Sequence, residues 1–111
     1  MDNLRALDYR LARLLGWELI GCQWYNPRGE RQEPPFWARD PAACAELDEK
    51  MRERGYSLFL LRGIDECEAV YFKPYKPITF ADIGGMEFYK TEWEARTRAA
   101  ISALERSKKD E

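Results

Sequence analysis

Histidine is absent from the 111 residues. That excludes every imidazole-based device, including Ser-His-Asp and Cys-His nucleophiles, histidine acid–base pairs and imidazole metal sites. No Cys-x-x-Cys, Gly-x-Gly-x-x-Gly, P-loop or calcium-loop motif occurs, so zinc, dinucleotide, NTP and EF-hand readings lack local support. No cofactor is expected. The three cysteines, Cys22, Cys44 and Cys67, lie more than twenty residues apart among apolar neighbours. An odd, scattered set fits reduced core thiols better than a disulfide framework. No apolar run approaches the roughly 18 residues of a membrane span. The opening Met1, Asp2, Asn3, Leu4, Arg5 lacks the basic-then-apolar order of a signal peptide. The expectation is a soluble cytoplasmic protein with no membrane partner.

A formal net charge of −2 argues against duplex DNA, whose binders draw affinity from many Lys/Arg–phosphate contacts. Charge is unevenly spread, however. Residues 29 to 69 carry ten acids and six bases, whereas 70 to 109 carry eight bases and five acids, so the C-terminal part can present a modest positive face. At this length, with 45% hydrophobic and 34% charged residues, one globular domain over 1–111 is expected.

Leu4, Leu7, Leu11 and Leu14 recur at helical spacing, with Asp2 as N-cap and Gly16 as C-terminal cap, which predicts a helix over 3–15. The aromatic and aliphatic run 17–25 reads as a strand closed by the turn Asn26-Pro27-Arg28-Gly29. Residues 28–39 have no period, and Pro34-Pro35 suits neither a helix nor a central strand. Asp40-Pro41 reads as N-cap and first residue of a second helix, striped by Ala43, Cys44, Leu47 and Met51 and ended by Gly55. Its Glu46, Asp48, Glu49 and Glu53 read as a solvated face. Runs 56–62 and 67–72 flank Gly63-Ile64-Asp65-Glu66 and predict an antiparallel hairpin. Residues 78–83 fit a short strand or an ordered loop. Thr91-Glu92-Trp93-Glu94 is a capping box opening a helix over 92–106. Together these elements predict an α/β (α+β) chain with a mostly antiparallel sheet of three to four strands covered by three helices.

Two groups of residues carry chemistry. Trp24, Tyr25, Arg28, Phe36, Trp37 and Arg39 bracket the irregular segment with rings and guanidinium forks. Rings stack on bases for roughly 1–3 kcal/mol each, and arginine grips phosphate bidentately. Each ring taken alone is more often core, since aromatics dominate cores. Trp93, with Lys90 and Arg96 near it, sits at a helix start whose free amides suit an anion, although a tryptophan there more often anchors the helix. The pair Asp82 and Glu87 is a candidate for hydrolysis, but without visible burial most such acids are solvated.

Leu7-Asp8 in an opening helix, Leu15-Gly16-Trp17, Trp24-x-x-Pro27, Pro34-Pro35-Phe36, Glu49-Lys50-Met51-Arg52-Glu53-Arg54-Gly55-Tyr56 and a closing alanine-rich helix occur in order along nearly the whole chain. In this succession the chain resembles the phage αβα-sandwich (ABA sandwich) domain family. It departs from that pattern over Lys73 to Lys90, which is longer and more aromatic. The resemblance implies an αβα sandwich and a bacteriophage origin, hence the cytoplasm of an infected host, but no catalytic residues. The leading expectation is a non-catalytic, homo-oligomeric protein, dimer or higher. It would sequester a nucleotide second messenger of host antiviral signalling through Trp24, Tyr25, Arg28, Trp37, Arg39, Lys90, Trp93 and Arg96. The alternatives are a protein-interaction module acting on a host or phage protein and, third, a nucleotide-signal hydrolase.

Overall fold

The computed structural model describes residues 3–74 and 88–109. Leu7 and Leu11 stand four residues apart, which places both on one face of a 3.6-residue helix. They are buried along α1 (Asn3–Leu14) together with Asp8 and Ala12. The helix ends at Gly16, whose φ of 96° is left-handed and favours a residue without Cβ. The Trp17 N–H donates to the Ala12 carbonyl at 2.9 Å and the Gly16 N–H to that of Arg13 at 3.2 Å, the paired bonds of a Schellman cap. Trp17 then enters the core.

The second helix, α2 (Pro41–Glu53), ends the same way. At its start the Asp40 carboxylate accepts from the Ala42 N–H at 3.1 Å, and Pro41 occupies a position that needs no donor. At its end Gly55 has φ 91°. The Tyr56 N–H donates to the Met51 carbonyl at 3.0 Å and the Gly55 N–H to that of Arg52 at 2.9 Å. Tyr56 joins Met51 in the core, so both glycine–aromatic pairs stop a helix and bury the ring that follows.

Between these helices the expected single strand over 17–25 is a hairpin, β1 (Glu18–Ile20) and β2 (Gln23–Tyr25), with Leu19 opposite Trp24. Gly21, at φ 63°, opens its two-residue loop, since such loops favour a positive φ at their first position. Asn26 shapes the next turn. Its Oδ1 accepts from the Arg28 and Glu30 N–H groups, each at 3.0 Å, and Arg31 bridges back to Tyr25.

The second hairpin matches expectation: β3 (Ser57–Arg62) pairs with β4 (Cys67–Phe72) antiparallel, from Ser57–Phe72 to Arg62–Cys67. Tyr89 exchanges two backbone hydrogen bonds with Cys67, at 2.7 and 2.8 Å. The last helix, α3 (Glu92–Lys109), is capped by Thr91, whose Oγ1 accepts from the Glu94 N–H at 3.2 Å. Glu94 does not reach back to complete the capping box; its carboxylate accepts from Arg98 Nε at 2.9 Å.

The chain is therefore mixed α+β, with three helices and two two-stranded antiparallel sheets among the described residues. The continuous sheet of three to four strands is not what forms there. The first β-prone run folds on itself at Gly21 and forms its own sheet instead of joining β3 and β4. The expected element at 78–83 lies outside the described residues. In α3, Ala95, Ala99, Ala100 and Ala103 are buried, and such small side chains let a helix approach its neighbours closely; α3 packs along β4 and against α1 and α2. Leu7, Leu11, Leu47, Met51, Trp17, Trp24, Trp37, Tyr56 and Tyr71 share one core cluster with Ile101 and Leu104.

A Cβ added at Gly55 meets nothing within 4 Å, so Gly55→Ala isolates the backbone cost. The variant is expected to lose about 1 kcal/mol of unfolding free energy, read as a lower urea midpoint at unchanged slope. An unshifted midpoint would contradict the cap.

Candidate functional site

Helix α1 presents two polar faces, and the first of them holds the irregular segment. The Arg5 guanidinium donates from Nη1 to Asp8 Oδ2 at 3.1 Å and to the Pro35 carbonyl at 3.0 Å, and from Nη2 to the Pro34 carbonyl at 2.8 Å. Its Cζ lies 3.8 Å from the Phe36 ring centre and 4.7 Å from that of Tyr9, giving cation–π contacts on two rings. Asp8 is fully buried, and its other oxygen accepts from the Ala38 N–H at 3.0 Å. Burial pushes the Asp8 carboxyl above the usual carboxylate range, against the lowering pull of the Ala38 N–H and of Arg5. These contacts satisfy carbonyls that Pro34 and Pro35 cannot place in a ladder and fix the loop across α1.

The second polar face forms a groove. Ala6, Tyr9, Arg10, Arg13 and Leu14 stand at i, i+3, i+4, i+7 and i+8, one stripe of a helix, and with Glu105 of α3 they line an open groove of about 510 Å³. That volume is in the range of small-ligand sites. The Tyr9 ring stacks on Trp24, centroids 5.4 Å apart and planes 10° from parallel. The Arg13 guanidinium lies 5.9 Å from the Trp24 centroid, and Arg10 Nη2 is ion-paired with Glu105 Oε1. One helical stripe thus supplies an aromatic edge, its faces held between Arg5 and Trp24, and two guanidinium forks, groups that suit a flat ring carrying an anion.

A third polar group lies between α2, β4 and α3. Tyr71 donates to Asp48 Oδ1 at 3.2 Å, and Asp48 Oδ2 pairs with Arg52 at 2.8 Å. Burial, with the Asp48 charge next, pushes the Tyr71 hydroxyl far above its ordinary range. Cys44 is fully buried, and desolvation lifts its thiol to about 11 although Arg96 pulls the other way. A buried, protonated thiol is a packing group and no nucleophile at neutral pH. Asp48, expected on a solvated face, is buried because the Tyr71 hydroxyl needs its carboxylate.

The eight expected ligand residues fall in several places. Trp24 and Trp37 are core rings, 6% and 1% exposed; Trp37 meets Trp17 edge-on at 6.2 Å. Their planes are occupied by protein, which removes Trp37 as a stacking surface and leaves Trp24 as the support of Tyr9. Tyr25 is half-buried in β2 opposite Glu18. Arg28 is exposed and 3.9 Å from Glu30, and Arg39 is exposed just before α2. Lys90 is exposed ahead of the α3 cap, and Trp93 is half-buried in its first turn. Arg96 turns inward, with its side chain 18% exposed and 3.5 Å from Glu92, which also pairs with Arg62. Only Trp24 belongs with the groove. The groove residues that sequence reasoning passed over, Tyr9, Arg10 and Arg13, had a readable signal: a ring and two arginines at helical spacing opposite the leucine stripe. Asp82 and Glu87 lie outside the described residues.

With this geometry the chain defines a small α+β protein with a groove of ring-and-guanidinium character. It matches no protein-family model, no curated protein and no solved structure. No helix among the described residues is long and apolar enough to cross a membrane.

Removing the Asp8 carboxylate leaves the Arg5 charge partly buried and the Ala38 N–H without its acceptor. Asp8→Ala is expected to cost about 3 kcal/mol, measured by urea unfolding. A cost below about 1 kcal/mol, the scale of an exposed pair, would show that the clamp does not hold the loop.

Proposed function

We propose that this protein is a non-catalytic binding protein for a nucleotide-type ligand, and that the ligand sits in the α1–α3 groove. The observation that carries this reading is the single stripe Tyr9–Arg10–Arg13, with Trp24 stacked on Tyr9. The base packs against the edge of Tyr9, whose faces carry Arg5 and Trp24, and phosphate oxygens take the guanidinium forks of Arg10 and Arg13. On the family resemblance, an αβα-sandwich domain from a phage, the ligand is a nucleotide second messenger of host antiviral signalling, and binding removes it from the signal. The groove is open, so a second copy of the chain closes over the ligand, which is the reason for expecting a homo-oligomer.

A second reading has its own support. Leu19, Ile20, Phe36, Phe59, Leu61, Ile64 and Phe88 are all more than a third exposed, Ile64 completely, and exposed apolar surface of this kind suits a protein partner. A polypeptide that co-purifies and is lost on mutating Phe59 and Leu61 to polar residues favours that reading.

Thermal unfolding against cyclic di- and trinucleotides and cyclic ADP-ribose isomers separates the two. A ligand at a thousand times its Kd adds about 4 kcal/mol of stability. One nucleotide is expected to raise Tm by several degrees, and the rise should vanish in Arg13→Ala. No shift with any nucleotide would remove the nucleotide reading.

A further inference from the structure

Arg10 does not face the groove with all its donors free. Its Nη2 donates to Oε1 of Glu105, which comes from the opposite wall and from 95 residues further along the chain. Both side chains are substantially exposed, 58% for Arg10 and 40% for Glu105. An ion pair of that exposure contributes little to the fold, because water solvates both partners well and two long side chains must be immobilised to form it. It nevertheless places a carboxylate oxygen on one arm of the Arg10 fork, where a phosphate oxygen would be received. Arg13, one helical turn away, is instead directed over the Trp24 ring, so Glu105 supplies the single negative charge among the groove's lining residues.

We infer that Glu105 is a built-in competitor for the ligand's anion. It neutralises Arg10 in the empty groove and is displaced when a phosphoryl group arrives, which sets the affinity and the charge selectivity of the site. This rests on the groove being a nucleotide site. A nucleotide's phosphates outcompete the carboxylate because they bring more charge and more acceptor oxygens than one carboxylate does. A terminal phosphoryl group has three acceptor oxygens and nearly two charges near neutral pH, and a cyclic dinucleotide or cyclic ADP-ribose has two singly charged phosphates, enough to engage both Arg10 and Arg13. A monocarboxylate ligand has no such advantage. After displacement, the Glu105 charge remains beside the bound anion and weakens it. Neutralising Glu105 therefore strengthens anion binding twice over, by freeing Arg10 and by removing a repulsive neighbour.

The test compares adenosine 5′-monophosphate with uncharged adenosine as probes, titrated calorimetrically into the wild-type chain, Glu105→Gln and Arg10→Gln. Glutamine keeps the size and polarity of residue 105, and an unchanged Tm in Glu105→Gln checks that the fold is kept. The nucleotide is expected to bind Glu105→Gln about 5-fold more tightly than wild type, the scale an exposed ion pair allows, and more weakly to Arg10→Gln. Adenosine affinity should be the same in all three. A merely structural Glu105 would move both probes together. Equal nucleotide affinity in wild type and Glu105→Gln would overturn the competitor role while leaving the groove as the site. Binding of neither probe to any of the three proteins would overturn this inference, because the groove then takes no phosphoryl group, while the nucleotide reading is decided separately by the thermal shifts with cyclic nucleotides.

Discussion

The Arg5 guanidinium, held by the fully buried Asp8 and flanked by two rings, is the contact on which the arrangement of this molecule depends. A segment containing Pro34-Pro35 cannot satisfy its backbone in a sheet or helix, and an irregular segment against a core is costly unless its carbonyls find donors. Arg5 supplies two of those donors and Asp8 an acceptor. With the loop fixed, Trp37 and Ala38 are buried, and Asp40 and Pro41 are delivered to begin α2.

The same helix that holds the loop also shapes the groove. Three stripes share α1: Leu7 and Leu11 face the core, Arg5 and Asp8 engage the loop, and Tyr9, Arg10 and Arg13 line the groove. Tyr9 joins the last two, since Arg5 lies over its ring and Trp24 stacks on it. Order in the loop is thereby linked to the position of the Tyr9 ring beside the groove. The tryptophans take their places through the turns before them: the Gly16 cap sends Trp17 inward, the β1–β2 hairpin sets Trp24 beside Tyr9, and the Asp8 clamp sets Trp37 against Trp17.

Sequence reading succeeded where the signal is local. The three helices, both glycine caps, the Asp40-Pro41 start and the β3–β4 hairpin follow from side-chain spacing, cap chemistry and turn residues, all decided within a few positions. It failed where two local solutions compete or where the partner is distant. A β-prone run of nine residues is compatible with one strand or a hairpin, and Gly21 chose the hairpin. Asp48 looked solvated because the Tyr71 hydroxyl that buries it is 23 residues away. Trp24 and Trp37 were candidates for ligand contact because composition does not reveal which rings a fold covers. The arginines of the groove are legible as a helical stripe but carry no motif, whereas the loop concentrates rings and arginines in a short stretch. Arg5 was the least legible, since its acceptors are backbone carbonyls 29 and 30 residues away.

A ligand held on one face of α1, with the loop and hairpins as support, would change the surroundings of that face before any other. Amide and indole NMR shifts, followed while the nucleotide that stabilises the protein is titrated in, test it most directly. The largest changes are expected on residues 6–14, the Trp24 indole and Glu105. Changes centred instead on Leu19, Ile20, Phe59 and Leu61, with residues 6–14 unmoved, would contradict it.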